Sequence, residues 1–167
     1  MSVNFVNGDI FARRDIGKTV FICHQCNCRG RMGAGIAGKI REMYPEVYDL
    51  YVKELQNHLA TLGDIIAVKV NDNVRNITYV VNILGQMDYG NDGQCYTDYN
   101  AVRSALIKLR ENFLIHHDPK NVVVRIPAGM GSGLAGGDKS TMMEIILGVY
   151  GKSPYQVQIV NFDENKI

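Results

Sequence analysis

The stretch KTVFICHQCNCRGRMGAGIAGKI, Lys18 to Ile40, contains the three parts of an α/β unit in order. The run KTVFICHQC is rich in β-branched and aromatic residues, which predicts a buried strand. The polar, glycine-rich NCRGRMGAG ends this strand. From about Ala34 the apolar residues Ile36 and Ile40 recur at helical spacing. The stretch therefore predicts a strand, a glycine loop and the start of a helix.

The glycines of this loop fit two nucleotide-binding patterns incompletely. Gly33, Gly35 and Gly38 match the G-x-G-x-x-G of dinucleotide-binding folds, but position 58, where an acid is expected, is His58 within the helical region. The phosphate loop of nucleotide hydrolases would need Ser or Thr at Ile40 to hold magnesium. Neither pattern is therefore complete.

A second loop repeats the first. Gly131, Gly133 and Gly136 also spell G-x-G-x-x-G, and this loop again follows a buried strand and leads into a helix. In open α/β sheets, ligands sit beyond the carboxyl ends of the strands. Glycine lets the backbone approach phosphate oxygens closely, and helix N-termini point N–H groups at them. We expect the two loops to grip one ligand from both sides, rather than merely to permit tight turns.

The remaining chain alternates strand and helix patterns, which predicts a layered α/β fold with 1–167 as a single domain. Predicted strands are VNFVNGDI ending at Gly8, DIIAVKV and NITYVVNIL joined by a hairpin turn at NDNVR, NVVVRIP, and YQVQIVNF. Predicted helices are Ala34–His58 with a break at Pro45, Tyr99–Phe113 capped by Thr97 or Asp98, and Met142–Leu147.

Composition excludes some functions. The net charge is +1, which argues against bulk-charge binding to nucleic acid or to a membrane surface. The chain has no apolar run of transmembrane length, and its first residues lack the apolar core of a secretory signal. We therefore expect a cytoplasmic protein whose four cysteines are thiols.

The residues around His24 offer two kinds of chemistry. Cys23, His24, Cys26 and Cys28 are soft enough to bind zinc, but the spacing is not that of paired C-x-x-C motifs. Cys23 and Cys26 should also face opposite sides of a strand, which favours buried thiols over a metal site. His24 lies beside the first glycine loop, where an imidazole is either structural or exchanges protons with a phosphoryl group.

Four segments together resemble the macro domain family. They are NGDIF, FICHQCNCRGRMGAGIAGKIREMYP, RIPAGMGSGLAGGD and QIVNF, and they cover nearly the whole chain in the family's order. The first loop is most similar to the branch of ADP-ribose-1″-phosphate phosphatases, and it is also close to the branch that removes ADP-ribose from glutamate side chains. The resemblance implies a three-layer α/β/α sandwich around a mixed sheet, an ADP-ribose cleft, and no cofactor or metal.

The resemblance also implies roles for individual residues. Asp9, with Ile10 beside it, would face the adenine amino group, and Phe162 would be either an apolar wall for adenine or a core aromatic. The diphosphate and distal ribose would lie against the two loops, and the chemistry would fall to three residues. The first loop supplies Gly33, Gly35, Ile36 and Ala37; the second supplies Gly131, Ser132, Gly133, Leu134, Ala135 and Gly136; the reacting groups are His24, Asn27 and Asp138.

Departures from the family's pattern bear on the reaction. Ala37 stands where many ADP-ribosyl hydrolases carry Asp, NILGQ contains no Lys, and Ala135 replaces the Asp of glutamate-directed enzymes. Asp138 lies three residues further on, and it either reaches the ribose or caps the next helix. The resemblance therefore implies removal of the 1″-phosphate, with His24 as general acid or nucleophile.

In this scheme Asn27 would orient ribose hydroxyls or water, and Asp138 would be the candidate for activating water. Two alternatives stay open. One is an enzyme that removes ADP-ribose from ADP-ribosylated protein, and the other is a non-catalytic ADP-ribose reader. A zinc protein is a further alternative.

Overall fold

The computed structural model describes residues 2–70 and 76–162. The strands are β1 (Val3–Asn7), β2 (Thr19–Asn27), β3 (Ile65–Val70), β4 (Ile77–Gln86), β5 (Val122–Pro127) and β6 (Gln156–Asn161). The helices are α1 (Gly35–Met43), α2 (Pro45–Gln56), α3 (Tyr99–Asn112) and α4 (Lys139–Tyr150), with short 3-10 turns at Leu114–His116 and Pro119–Asn121. Within these ranges, none of the helices has the length and apolar content needed to cross a membrane.

The strands form one mixed sheet in the order β1-β6-β5-β2-β4-β3. β3 runs antiparallel to β4, and the other neighbouring pairs are parallel. The central strand β2 is buried along almost its whole length, as expected for a parallel strand that is covered on both faces. The carboxyl ends of β1, β6, β5, β2 and β4 consequently meet at one edge of the sheet.

Helices cover both faces of the sheet. On one face, α3 and α4 pack against alternate residues of the strands, among them Phe21, Cys23 and Val124. On the other face, α1 and α2 pack through Ile40, Val47 and other apolar side chains. The predicted three-layer α/β/α sandwich is therefore confirmed.

Most predicted boundaries agree with the structure to within a few residues. The helical break falls at Pro45, which is the first residue of α2, where a missing N–H costs nothing. Asp98 caps α3 by accepting a hydrogen bond from the Ala101 N–H at 3.0 Å. β1 ends at Asn7, one residue before its predicted end, and α4 extends three residues beyond Met142–Leu147 in each direction. The hairpin turn predicted at NDNVR lies outside the described residues.

Candidate ligand site at the carboxyl edge of the sheet

A cavity of about 660 Å³ lies at the edge where the parallel strands end. This volume is typical of small-molecule sites. Both glycine loops contribute to its wall, as the sequence predicts. The lining residues are His24, Gln25, Cys26, Asn27, Arg31, Gly33, Ala34, Gly35, Ile36, Ala37, Gln86, Tyr89, Gly90, Asn91, Pro127, Ala128, Gly129, Met130, Gly131, Gly133, Leu134 and Ala135.

The first loop presents the start of α1 to the cavity. Gly33 to Ala37 all line it, and α1 begins at Gly35. The N-cap residue Ala34 has no side chain that could accept from the first N–H groups of the helix. These N–H groups and the helix dipole favour an anion at this position.

Asn27 holds the backbone that leads into this loop. Its Oδ1 accepts from the N–H groups of Arg29 at 2.9 Å and Arg31 at 3.3 Å, and its Nδ2 donates to the Arg31 carbonyl at 2.9 Å. The Tyr51 hydroxyl donates to the Asn27 carbonyl from α2. An amide nitrogen has two N–H donors, so one remains for a ligand. Asn27 lines the cavity and also shapes the first loop, and its contact with a ribose stays a prediction.

The second loop borders the opposite side of the cavity. Gly131, Gly133, Leu134 and Ala135 line it. Within 2–70 and 76–162, the N–H groups of Gly133, Leu134 and Ala135 donate no hydrogen bond, so they are available to a ligand. The predicted contacts Ser132 and Gly136 do not belong to the lining. The Ser132 hydroxyl donates instead to the Gly129 carbonyl at 2.7 Å.

His24 lies in the floor of the cavity and is almost fully buried. Its Nε2 is 2.6 Å from Asn82 Oδ1. Asn82 Nδ2 donates to the Ile66 carbonyl at 3.0 Å, which leaves Oδ1 to accept a proton from Nε2. Burial lowers the pKa of His24 to about 4, against the opposing effect of the Asn82 hydrogen bond. The ring is therefore neutral at pH 7, with its lone pair on Nδ1.

Asp138 caps α4. Its Oδ2 accepts from the Thr141 N–H at 2.9 Å and from the Thr141 hydroxyl at 2.8 Å. These hydrogen bonds hold the pKa of Asp138 below its usual value. The side chain is exposed and does not line the cavity. Of the two roles predicted for Asp138, the structure shows the capping role, and a part in activating water stays a prediction.

Asp9, Ile10 and Phe162 follow β1 and β6 at the same edge, but they lie outside the cavity lining. Asp9 is half-buried, and its Oδ1 accepts from the Phe11 N–H at 3.0 Å. The Ile10 side chain packs in the core against Val20 and Ile22, so only its backbone is available to a ligand. Phe162 is 60% exposed, which excludes the core role and leaves its ring free at the edge.

A buried arginine fixes the loop that carries Asp9 and Ile10. Arg125, on β5, donates to the carbonyl groups of Ile10 at 3.0 Å and Ala12 at 2.9 Å. It also pairs with Asp15 at 3.1 Å. A planar guanidinium can satisfy several carbonyls at once, which a lysine could not do in this geometry. Arg125 thus links the central sheet to the outer end of the site.

The sequence reasoning missed part of the cavity. Gln25, Arg31 and Gln86 line it, as do the segments 89–91 and 127–130. Residues 89–91 belong to the loop that follows β4, so the rule placing ligands beyond strand ends applied to this loop as well. Arg31 was also visible as a cation inside the first glycine loop.

The cysteines divide between the two faces of the sheet, as predicted. Cys23 packs on the side of α3 and α4, whereas Cys26 packs on the side of α1 and α2. All four cysteines are free. Among the residues that the structure describes, no three His, Cys, Asp or Glu side chains stand close enough together to hold a metal ion.

These features define an α/β/α protein with a ligand cavity between two glycine loops. The macro domain family model matches residues 23–146, and the chain belongs to this family.

Curated relatives give the comparison more detail. The chain is 31% identical over 88 residues to the ADP-ribose 1″-phosphate phosphatase of Meyerozyma guilliermondii, a match that covers 47% of this chain and 50% of that protein. It is 27% identical over 140 residues to the protein of the same name from Lodderomyces elongisporus, covering 81% and 85%. An uncharacterised 17.5 kDa protein of phage T4 is 29% identical over 168 residues, covering 98% of each chain.

Solved structures share the fold. A protein of unknown function from Bacteroides thetaiotaomicron superposes with a TM-score of 0.82 at 28% identity, over 96% of this chain and 98% of the other. Thermosipho africanus DarTG in complex with ADP-ribose superposes with a TM-score of 0.76 at 19% identity, over 99% of this chain and 42% of the other. At this lower identity, the likeness shows the fold alone.

Proposed function

We propose that this protein binds ADP-ribose-1″-phosphate and hydrolyses its phosphate monoester, releasing ADP-ribose and inorganic phosphate. The observation that carries the proposal is the pair of glycine loops on opposite sides of one cavity, with backbone N–H groups available on both. Backbone N–H groups suit a diphosphate, because they are fixed donors that bind its oxygens without a charged side chain. The two yeast relatives named as phosphatases support the choice of substrate.

The binding site would position the substrate before it reacts. The diphosphate would bridge the start of α1 and the second loop, and the distal ribose would then lie over Asn27 and His24. Fixing the reacting groups in this way supplies a large part of an enzymatic rate enhancement. The free N–H of Asn27 would donate to a ribose hydroxyl or to water. At the outer end, Asp9 would accept from the adenine amino group, beside the exposed ring of Phe162.

His24 would carry the chemistry as a neutral ring. Of its two predicted roles, general acid and nucleophile, the pKa of about 4 favours the nucleophile. Attack of a nitrogen lone pair on phosphorus would break the bond to the 1″-oxygen, which takes a proton from water. The hydroxide left by that water would then attack the phosphohistidine, releasing inorganic phosphate and regenerating the neutral ring. Asp138 has no place in these steps while it caps α4.

The test is phosphate release from ADP-ribose-1″-phosphate, measured beside ADP-ribose release from a glutamate-modified protein. We expect wild-type protein to release phosphate and His24→Gln to lose at least about 100-fold in rate. The matched control is His116→Gln, because His116 is exposed and lies after α3. Calorimetry with ADP-ribose should show that His24→Gln still binds.

The pH profile of kcat/KM provides a second check on His24. This quantity reports the titration of the free enzyme and of the free substrate, whose phosphate monoester takes up a proton at about pH 6. If the neutral ring is the active form, kcat/KM should show, below this substrate step, a further fall near pH 4 as the ring takes up a proton. Full activity of His24→Gln would contradict the role of His24. The absence of ADP-ribose binding by wild-type protein at millimolar ligand would contradict the proposed function.

A further inference from the structure

Arg31 is the one charged side chain in the cavity lining, as far as the described residues extend. Every other lining residue is neutral at pH 7, including His24 with its lowered pKa. The neighbouring Arg29 is paired with Asp88 at 3.3 Å, whereas none of the ion pairs in 2–70 and 76–162 uses Arg31. A residue that borders the cavity thus carries a guanidinium that no carboxylate of these residues pairs with.

The backbone of Arg31 is held in place, and its guanidinium contacts an aromatic ring. The backbone of Arg31 is tied to Asn27 through its N–H and through its carbonyl. The guanidinium carbon lies 5.4 Å from the centre of the Tyr89 ring, within the range of a cation–π contact. Tyr89 also lines the cavity, from the loop that follows β4. Arg31 and Tyr89, both exposed, therefore form a cationic corner at the β2 and β4 end.

The charges along this edge of the sheet favour one part of the ligand, the phosphomonoester, at the cationic corner. The backbone N–H groups of the two loops suffice for a diphosphate. The carboxylate of Asp9 lies beyond β6, at the opposite end of the row of strands. A phosphate monoester carries close to two negative charges at pH 7, so it is repelled by a carboxylate and attracted to a guanidinium. Arg also matches phosphate oxygens in a bidentate geometry.

We propose that Arg31, supported by the Tyr89 ring, binds the terminal phosphomonoester and makes the site prefer a ligand with that group over ADP-ribose. This inference rests on the proposed function, and it adds a specificity residue to it. It predicts that Arg31 contributes to binding the phosphorylated substrate and contributes little to binding the diphosphate.

The experiment compares two ligands on two variants. For wild-type, Arg31→Gln and Arg29→Gln protein, we would measure kcat/KM for ADP-ribose-1″-phosphate and the Kd for ADP-ribose. A charge-assisted hydrogen bond suggests that Arg31→Gln lowers kcat/KM about 10- to 100-fold, while the Kd for ADP-ribose changes less than about threefold. Arg29→Gln should leave both quantities close to wild type, because Arg29 is paired outside the cavity. Arg31→Lys should recover part of the loss.

The possible results distinguish failure of the role proposed for Arg31 from failure of the proposed function. Equal losses for both ligands in Arg31→Gln would show that Arg31 holds the diphosphate, and no loss for either would show that it binds neither group; each result overturns the inference. If wild-type protein releases no phosphate, the proposed function fails, and the Kd of intact ADP-ribose-1″-phosphate replaces kcat/KM. A preference for that ligand that disappears in Arg31→Gln would then sustain the inference alone, and equal affinities for the two ligands would overturn it.

Discussion

The two glycine loops have the same G-x-G-x-x-G sequence pattern, but two glycines of the first loop and two of the second have contrasting surroundings. At Gly33 and Gly35 of the first loop, an added Cβ would have no neighbouring atom within 4 Å. At Gly131 of the second loop it would lie 2.5 Å from Gln25 Oε1, and at Gly136 it would overlap the Gln94 carbonyl oxygen. The first pair leaves open space beside the backbone, whereas the second pair allows other parts of the chain to approach closely.

The loops also differ in what holds them. The first is anchored before its glycines, by Asn27 and by the buried Met32. The second is anchored within its glycines by the segment 94–97, where the N–H of Tyr96 donates to the Ala135 carbonyl at 2.6 Å and the Thr97 hydroxyl donates to the Gly131 carbonyl at 2.6 Å. One sequence motif therefore leaves room for a ligand in the first loop and permits close packing in the second.

The largest expected effect is that of Gly136→Ala. Gly136 has a φ of +73° and has no room for a methyl group against a backbone carbonyl. Adding the cost of the left-handed conformation to that of overpacking, we expect a loss of about 3 kcal/mol in the free energy of unfolding. For a chain of this size that corresponds to a fall of about 10 °C in Tm, measurable by calorimetry. A Tm within about 2 °C of wild type would contradict the packing role of this glycine.

Thr97→Val tests the anchoring segment itself. The Thr97 hydroxyl donates to the Gly131 carbonyl and accepts from Gln25 Nε2 at 2.9 Å. Valine has nearly the same shape but leaves both partners without this contact, so we expect a loss of about 2 kcal/mol by denaturant unfolding. ADP-ribose affinity should also fall, because the second loop is less well fixed. Tyr51→Phe is the matched variant for the first loop. It removes the hydroxyl that donates to the Asn27 carbonyl, in the anchor of that loop.

Sequence patterns predicted much of this arrangement, for a physical reason. The strand and helix periods of residues 18–40 and 121–147 place each glycine loop after a parallel strand, and such strands end at a common edge. The anchoring of the second loop could not be predicted in this way. It depends on β4 lying next to β2, which brings Thr97 to Gln25 across 72 residues of chain. Arg31 and Tyr89 meet for the same reason.

The sequence motif also does not predict the surroundings of its glycines. Gly35, Gly131 and Gly136 all have positive φ, but only the structure shows that Gly131 and Gly136 lie close against other parts of the chain. The capping role of Asp138 was predicted as one of two possibilities, since Asp is favoured both as an N-cap and as a catalytic group. The structure shows the cap through the position of Thr141 relative to the carboxylate, and the catalytic role stays a prediction.

Asp138 gives the next prediction, because it fixes where the second loop ends and α4 begins. Asp138→Ala should cost about 1 kcal/mol of unfolding free energy through loss of the cap, whereas Asp138→Asn should cost much less. Both variants should keep phosphate release within about threefold of wild type, since the carboxylate lies outside the cavity lining. A large loss of activity in the stable Asp138→Asn variant would assign Asp138 to the reaction.

Gly33→Ala has the smallest expected effect on stability. It also gives the sharpest contrast with Gly136→Ala. The added methyl group meets nothing in the protein, and its backbone does not require glycine, so the free energy of unfolding should stay within about 0.5 kcal/mol of wild type. Gly33 lines the cavity, however, so the methyl group would occupy space beside the start of α1. Calorimetry with ADP-ribose should therefore show weaker binding by a protein of unchanged Tm. If Gly33→Ala instead lowers Tm as Gly136→Ala does and leaves the affinity intact, the glycines of the first loop also serve packing, and the distinction between the two loops fails.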